Sequence, residues 1–217
     1  MKKLIVIMLL ICFSVGLFSQ VTFTRKLISE ERLDISTVSD FDQDGDLDII
    51  QSYSMWMKND GFGNFTEKEL ISLPDYKKHI IIDMNRDGYM DVISKPYGEN
   101  YLLDTIFWYQ NDGIFNFNEH MILSKIGDTG FTDAEATDLD GDGDIDVVTA
   151  GFGKDRLFWH GNDGFNNFAS NIILECDTTL SYYEYSGIGG ISCKDINKDG
   201  NIDIIYYTMR YVEDAKL

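Results

Sequence analysis

Asp138-Leu-Asp-Gly-Asp-Gly-Asp-Ile-Asp146 leads into the apolar run Ile145-Asp-Val-Val148, and the hairpin phrase Trp159-His-Gly-Asn-Asp-Gly-Phe-Asn-Asn-Phe168 follows it. The first phrase puts oxygen-bearing side chains at positions 1, 3, 5 and 9 and Gly at 6. A hard cation such as Ca²⁺ takes about six to eight oxygens, and Gly permits the sharp turn that wraps a chain around it. The second phrase places Asn-Asp-Gly between aromatic, β-prone flanks. That is a hairpin signal, because the turn needs positive φ, which Asn and Gly supply cheaply.

Both phrases recur. The acidic loop is repeated as Asp40-Phe-Asp-Gln-Asp-Gly-Asp-Leu-Asp48, Asp83-Met-Asn-Arg-Asp-Gly-Tyr-Met-Asp91 and Asp195-Ile-Asn-Lys-Asp-Gly-Asn-Ile-Asp203. The hairpin is repeated as Trp56-Met-Lys-Asn-Asp-Gly-Phe-Gly-Asn-Phe65 and Trp108-Tyr-Gln-Asn-Asp-Gly-Ile-Phe-Asn-Phe117. Loop starts are 43, 55 and 57 residues apart, within the range of repeat architectures. Each unit reads as strand A, acidic loop, strand B, connection, strand C with its Trp, turn, strand D. A four-stranded antiparallel unit at this period is a β-propeller blade, so the predicted fold class is all-β. The chain holds three full units and part of a fourth, which predicts a partial propeller of three and a half to four blades. The expectation is an open partial propeller, from a truncated reading frame or as a chain that completes its ring by association. Val21–Ser29 resembles the D strands, and its use as the outer strand of the last blade, closing the ring at four blades, is the alternative to an open propeller.

This combination resembles the FG-GAP/VCBS repeat, the calcium-loop blade also found in the propeller of integrin α-subunits. The resemblance spans 21–217 and implies up to four structural Ca²⁺ ions. By position, it implies as side-chain ligands Asp40, Asp42, Asp44 and Asp48; Asp83, Asn85, Asp87 and Asp91; Asp138, Asp140, Asp142 and Asp146; and Asp195, Asn197, Asp199 and Asp203. The backbone carbonyls of Asp46, Tyr89, Asp144 and Asn201 would fill position 7. The EF-hand fails as an alternative, because position 12 needs a bidentate Glu and is Gln51, Ser94, Thr149 and Tyr206 here. The first and third loops hold four liganding carboxylates against three in the others. Charge count therefore predicts tighter binding at those two.

The chain has 217 residues and a net charge of −19, with aromatics at 13% and only two prolines, a composition that excludes general disorder. Such acidity repels nucleic acid and anionic membranes, and no basic patch opposes it. Residues 1–19 read as a signal peptide: Lys2 and Lys3 are the charged region, Leu4–Leu17 the apolar stretch, and Ser19 or Gln20 lies near the cleavage point. Residues 20–217 form the repeat domain, with no membrane span left after cleavage. The protein is expected outside the cytoplasm, as an extracellular, cell-surface or periplasmic chain. Cys12 leaves with the signal, although a lipoprotein anchor there is an alternative. Cys176 and Cys193 remain, as a disulfide or as two half-buried thiols.

Catalytic residues are expected to be none. G-x-S-x-G, H-E-x-x-H and a phosphate loop are all absent from the sequence, Gly187-Ile-Gly-Gly190 lacking the following Lys-Ser/Thr. His160 is expected to face the hairpin, and Trp56, Trp108 and Trp159 to pack between blades rather than stack on sugars. Strand order puts acidic loops and turns on one face. The variable connections lie on the other, where Tyr97, Tyr101, Arg156, Tyr182 and Tyr183 could meet an unknown protein or glycan ligand. The leading expectation is a secreted, calcium-binding, non-enzymatic adhesion or recognition scaffold. A lectin-like propeller and a non-catalytic fragment of a polysaccharide-degrading enzyme are the alternatives.

Overall fold

The computed structural model describes residues 25–30, 33–52, 55–69, 76–96, 105–124, 131–151, 156–175 and 186–210. The first sheet runs β1 (Ile35–Ser39), β2 (Asp48–Gln51), β3 (Met55–Asn59) and β4 (Phe65–Glu69). The second runs β5 (Tyr76–Ile82), β6 (Asp91–Pro96), β7 (Thr105–Asn111) and β8 (Phe117–Ser124). The third runs β9 (Phe131–Thr137), β10 (Asp146–Gly151), β11 (Arg156–Asn162) and β12 (Phe168–Glu175). A fourth pairs β13 (Ser186–Lys194) with β14 (Asp203–Arg210). Within each sheet, strands are antiparallel and neighbours in space follow chain order. These are three blades and two strands of another, a partial β-propeller without helices among the described residues.

Register repeats from blade to blade. Position 9 of every acidic loop opens strand B opposite the last residue of strand A: Ser39 with Asp48, Ile82 with Asp91, Thr137 with Asp146, and Lys194 with Asp203. The tryptophans face a β-branched residue of strand B: Ile50 with Trp56, Ile93 with Trp108, and Val148 with Trp159. The first strands β1, β5, β9 and β13 lie side by side, while β4 and β12 are exposed along most of their length.

Strand B is buried in the first three blades, and the second and third blades are each packed between two others, whereas β14 is exposed at Ile205, Tyr206 and Tyr207. Successive side chains in a strand point to opposite faces. Val92 packs toward the first sheet with Phe41, Ile50 and Trp56, while Ile93 packs toward the third with Val147 and Phe131. Val147 in turn faces the second sheet, and Val148 faces Ile188 and Ile191 of the fourth. The uninterrupted apolar runs after the second and third loops are therefore two half-cores read in alternation.

The tryptophans divide less evenly. Trp108 is fully buried between the second and third sheets, and Trp56 packs edge-on to Phe41 at 5.3 Å and against Phe115 of the next blade at 5.1 Å. The packing role expected for them holds for both, whereas Trp159 is half-buried.

Two expectations change. Arg25–Ser29 form no strand, and Lys26 Nζ donates to the Phe62 carbonyl at 3.0 Å, on the hairpin tip of the first blade. That segment leans on the first blade rather than completing the last. The Asn-Asp-Gly hairpin is also wider than a two-residue turn: the amides of Asp60, Asp112 and Asp163 donate to the carbonyls of Asn64, Asn116 and Asn167, all at 3.1 Å, closing five-residue loops. Positive φ falls on Gly61, Gly113 and Gly164 and again two residues later, not on the Asn.

The signal peptide and Cys176, hence the disulfide, lie outside the described residues. So do Tyr97, Tyr101, Tyr182, Tyr183 and most connections on the face away from the loops. Among the described residues no helix is long and apolar enough to cross a membrane.

Candidate metal centres

Each acidic loop is a chain of side-chain-to-backbone turns, the local bonding that Asp and Asn favour outside regular structure. Position 1 accepts from the glycine amide at position 6: Gly45 on Asp40 at 3.1 Å, Gly88 on Asp83 at 2.9 Å, Gly143 on Asp138 at 3.1 Å, Gly200 on Asp195 at 2.9 Å. Position 5 accepts from the amide at position 7, as Asp44 does from Asp46, Asp87 from Tyr89, Asp142 from Asp144 and Asp199 from Asn201. The glycines at position 6 have φ between 92° and 104°, a region closed to most L side chains.

Position 9 does something else. Asp48, Asp91 and Asp146 are fully buried, and each takes the backbone amide of the hairpin asparagine on Oδ1: Asn59 at 2.7 Å, Asn111 at 2.8 Å, Asn162 at 2.8 Å. The other oxygen of Asp91, Asp146 and Asp203 takes the amide at position 2 of its own loop, from Met84, Leu139 and Ile196 at 3.0 to 3.1 Å. Trp108 adds its indole Nε1–H to Asp91 Oδ2 at 2.9 Å. The indoles of Trp56 and Trp159 approach Asp48 and Asp146 but stay outside direct hydrogen-bond geometry. The asparagine completes the clamp, donating Nδ2–H to the carbonyl of position 8 at 3.1 Å in all three blades.

Burial pushes the carboxyls of Asp48, Asp91 and Asp146 up, and the donated amides pull them back. For Asp91 the balance lies at about 6. Position 9 is thus a structural clamp joining loop to hairpin. The sequence reading treated it as one more ligand and missed that role. Its signal was present in the invariant order of loop, Trp and Asn within this one chain.

The expected ligands assemble to different degrees. Carboxylate oxygens of Asp40, Asp42 and Asp44 lie within 4.8 Å of one another, as do those of Asp138, Asp140 and Asp142. In the second loop Asn85 gives its amide nitrogen to Asp87 Oδ2 at 2.8 Å, and in the fourth Asn197 does the same to Asp199 at 3.0 Å. Side chains at position 7 lean away from the ligand cluster onto the hairpin: a Cβ at Gly113 would lie 2.5 Å from the Tyr89 ring, and one at Gly164 2.5 Å from the Asp144 carboxylate. This leaves the position 7 backbone carbonyl, rather than the side chain, as the group available to an ion.

Whether a cation fits is decided by oxygens that nothing else satisfies. Asp40 Oδ1, Asp42 Oδ1, Asp48 Oδ2 and Asp83 Oδ1 are buried without a hydrogen-bond partner. A buried acceptor left unpaired costs about 1–3 kcal/mol, more when charged. Three of the four belong to the first loop and one to the second. Hard and anionic, and clustered at Asp40 and Asp42, they suit a divalent cation with an oxygen shell.

Two of the three histidines, His79 and His160, are core residues. His160 is fully buried, between Thr149 Oγ1 on strand B at 2.9 Å and Ser170 Oγ on the facing strand of its own hairpin at 2.8 Å, and His79 contacts Ser94 Oγ at 2.5 Å. Burial holds both imidazoles down, to about 4. Arg156 is engaged with Glu175 across β11 and β12, its Nε–H donating at 3.0 Å. The half-buried Cys193 thiol is pushed up to about 11, by burial first and then by Glu135 and Asp133.

Blades of four antiparallel strands, each with an acidic A–B loop clamped to a Trp-bearing C–D hairpin, define a class of propeller repeat. The chain belongs to the FG-GAP-like repeat family, whose model matches residues 83–149 and 138–206. Among solved structures, it is similar to a lectin of Agrocybe aegerita described for specific recognition of non-reducing terminal N-acetylglucosamine. The two share 20% identity with a TM-score of 0.54, over 80% of this chain and 48% of that one, and the likeness shows the fold alone. The chain spans about half the length of that structure. No curated protein matches it.

Proposed function

We propose that this chain is an exported, non-enzymatic recognition scaffold whose blades are held by structural Ca²⁺ in the acidic loops. The carrying observation is the set of buried, unpartnered oxygens on Asp40, Asp42, Asp48 and Asp83. In each loop the groups at positions 1, 3 and 5 and the carbonyl at position 7 would hold the ion. Position 9 would add an oxygen where one is spare, as in Asp48. The ion would supply positive charge to carboxylates that otherwise repel one another and fix the loop against its hairpin.

Binding of a partner is assigned to the opposite face, since loops on a rigid scaffold carry recognition. A glycan is the second reading, favoured by the shared fold with a sugar-recognising protein. A glycan array probed with and without calcium separates the two. Binding to a defined sugar supports the lectin reading, and capture of no sugar leaves a protein partner. The scaffold reading itself is tested by calcium titration of the purified chain with calorimetric readout. Saturable binding of two or more ions per chain is the expected result, and heat of dilution alone would overturn it.

A further inference from the structure

Among the described residues, the first loop, unlike the other three, has a lysine reaching into it from a hairpin. Lys58 precedes Asn59 in the hairpin of the first blade, and its ammonium sits against Asp42 Oδ2 and 2.9 Å from Asp44 Oδ2. Asp42 is largely buried at 12% exposure and Lys58 is 29% exposed, so this pair is screened less than a surface one. The equivalent residues cannot do this. Gln110 is turned to His120 Nε2 at 3.1 Å, and Gly161 has no side chain. Among the described residues, the third loop, also rich in Asp, receives only Arg86 at 3.6 Å from Asp138, and that side chain is 52% exposed.

We infer that Lys58 is a tethered cation that competes with calcium for the first loop, closing it when the ion is scarce and yielding when the ion binds. This rests on the calcium reading above and adds to it a residue that sets affinity. Lys58 touches two of the three clustered carboxylates, Asp42 and Asp44, so an ion that uses their oxygens must displace the ammonium or share them with it. Asp40 Oδ1 and Asp42 Oδ1 stay unpartnered, because one ammonium on a side-chain tether cannot reach the whole cluster. The consequence separates the two loops that charge count ranks together: the first binds calcium more weakly than its carboxylates imply, and the third is the tightest.

The test is calorimetric titration of the full chain with CaCl₂, comparing wild type with Lys58→Gln and Lys58→Met, alongside melting in excess chelator and in saturating calcium. One site should tighten roughly three- to tenfold in both variants, the scale of a partly exposed ion pair. Adding Asp42→Asn should abolish that gain. In chelator the variants should melt below wild type, and saturating calcium should close the gap. Superimposable isotherms in proteins that do bind calcium would overturn the role of Lys58 alone. Absence of binding in wild type and variants would overturn the calcium reading together with it.

Discussion

The backbone N–H of Asn111 donates to Asp91 Oδ1 at 2.8 Å, joining a hairpin turn to an acidic loop twenty residues earlier in the chain. Asp91 also takes the Met84 amide at 3.1 Å and the Trp108 indole at 2.9 Å, all without exposure to solvent. Three donors converge on one buried carboxylate, and its asparagine amide contact recurs at Asp48 and Asp146 with Asn59 and Asn162. Loop and hairpin are therefore one unit in each complete blade.

Asp91→Asn should cost about 2–3 kcal/mol even in chelator, because the amide presents a donor where three donors already point. The exposed Asp87→Asn should cost less than about 0.5 kcal/mol there and act mainly when calcium is present. Urea denaturation in both buffers checks the contrast. Equal losses for the two variants without calcium would count against a clamp at position 9.

Trp108→Phe removes the indole N–H and part of a fully buried ring packed between the second and third sheets. A loss of about 2–3 kcal/mol is expected, combining a charge-assisted hydrogen bond with a partial cavity. Trp159→Phe, at a half-buried ring, should cost less than half as much. Thermal melts of the two variants provide the comparison.

His160 is held neutral by burial, with an imidazole at about 4 against an ordinary 6.5. Thr149 and Ser170 are its polar neighbours, and no charged group contributes to the shift. The unfolded chain therefore binds the extra proton between pH 6.5 and 4, and stability falls as pH falls through that window. His160→Gln should remove this share. The melting temperature of wild type relative to the variant should be highest at pH 7 to 8 and decline steadily toward pH 4. A difference independent of pH would show that the imidazole does not titrate on unfolding.

Much of the fold was legible because both diagnostic phrases are local. Asp, Gly and Asn act within nine residues, and a Trp with Asn-Asp-Gly marks the next hairpin, so four loops and three hairpins gave the sheets in order. The alternating half-cores of Val92 and Ile93, or Val147 and Val148, were legible as apolar runs but not as two separate interfaces, since a run alone does not say which neighbour each residue meets. Long-range choices escaped. Lys58 reaches Asp42 across sixteen residues, and only the folded hairpin brings them together. Asp91 reads in sequence like any other loop carboxylate, and only its burial by neighbouring blades makes it a clamp. Lys26 engages the first hairpin because that tip lies near it, not because of its own strand-like sequence.

Calcium dependence of stability is the most direct measurement. Melting of the purified chain by calorimetry in about 1 mM CaCl₂ should exceed that in excess chelator by several degrees. Each site contributes up to about 2.7 kcal/mol when free calcium is one hundred times its dissociation constant. Hydrogen exchange run in parallel should show the gain centred on residues 40–48, 83–91, 138–146 and 195–203. A melting temperature unchanged by chelator, with equal exchange in those four loops, would contradict a calcium-held scaffold.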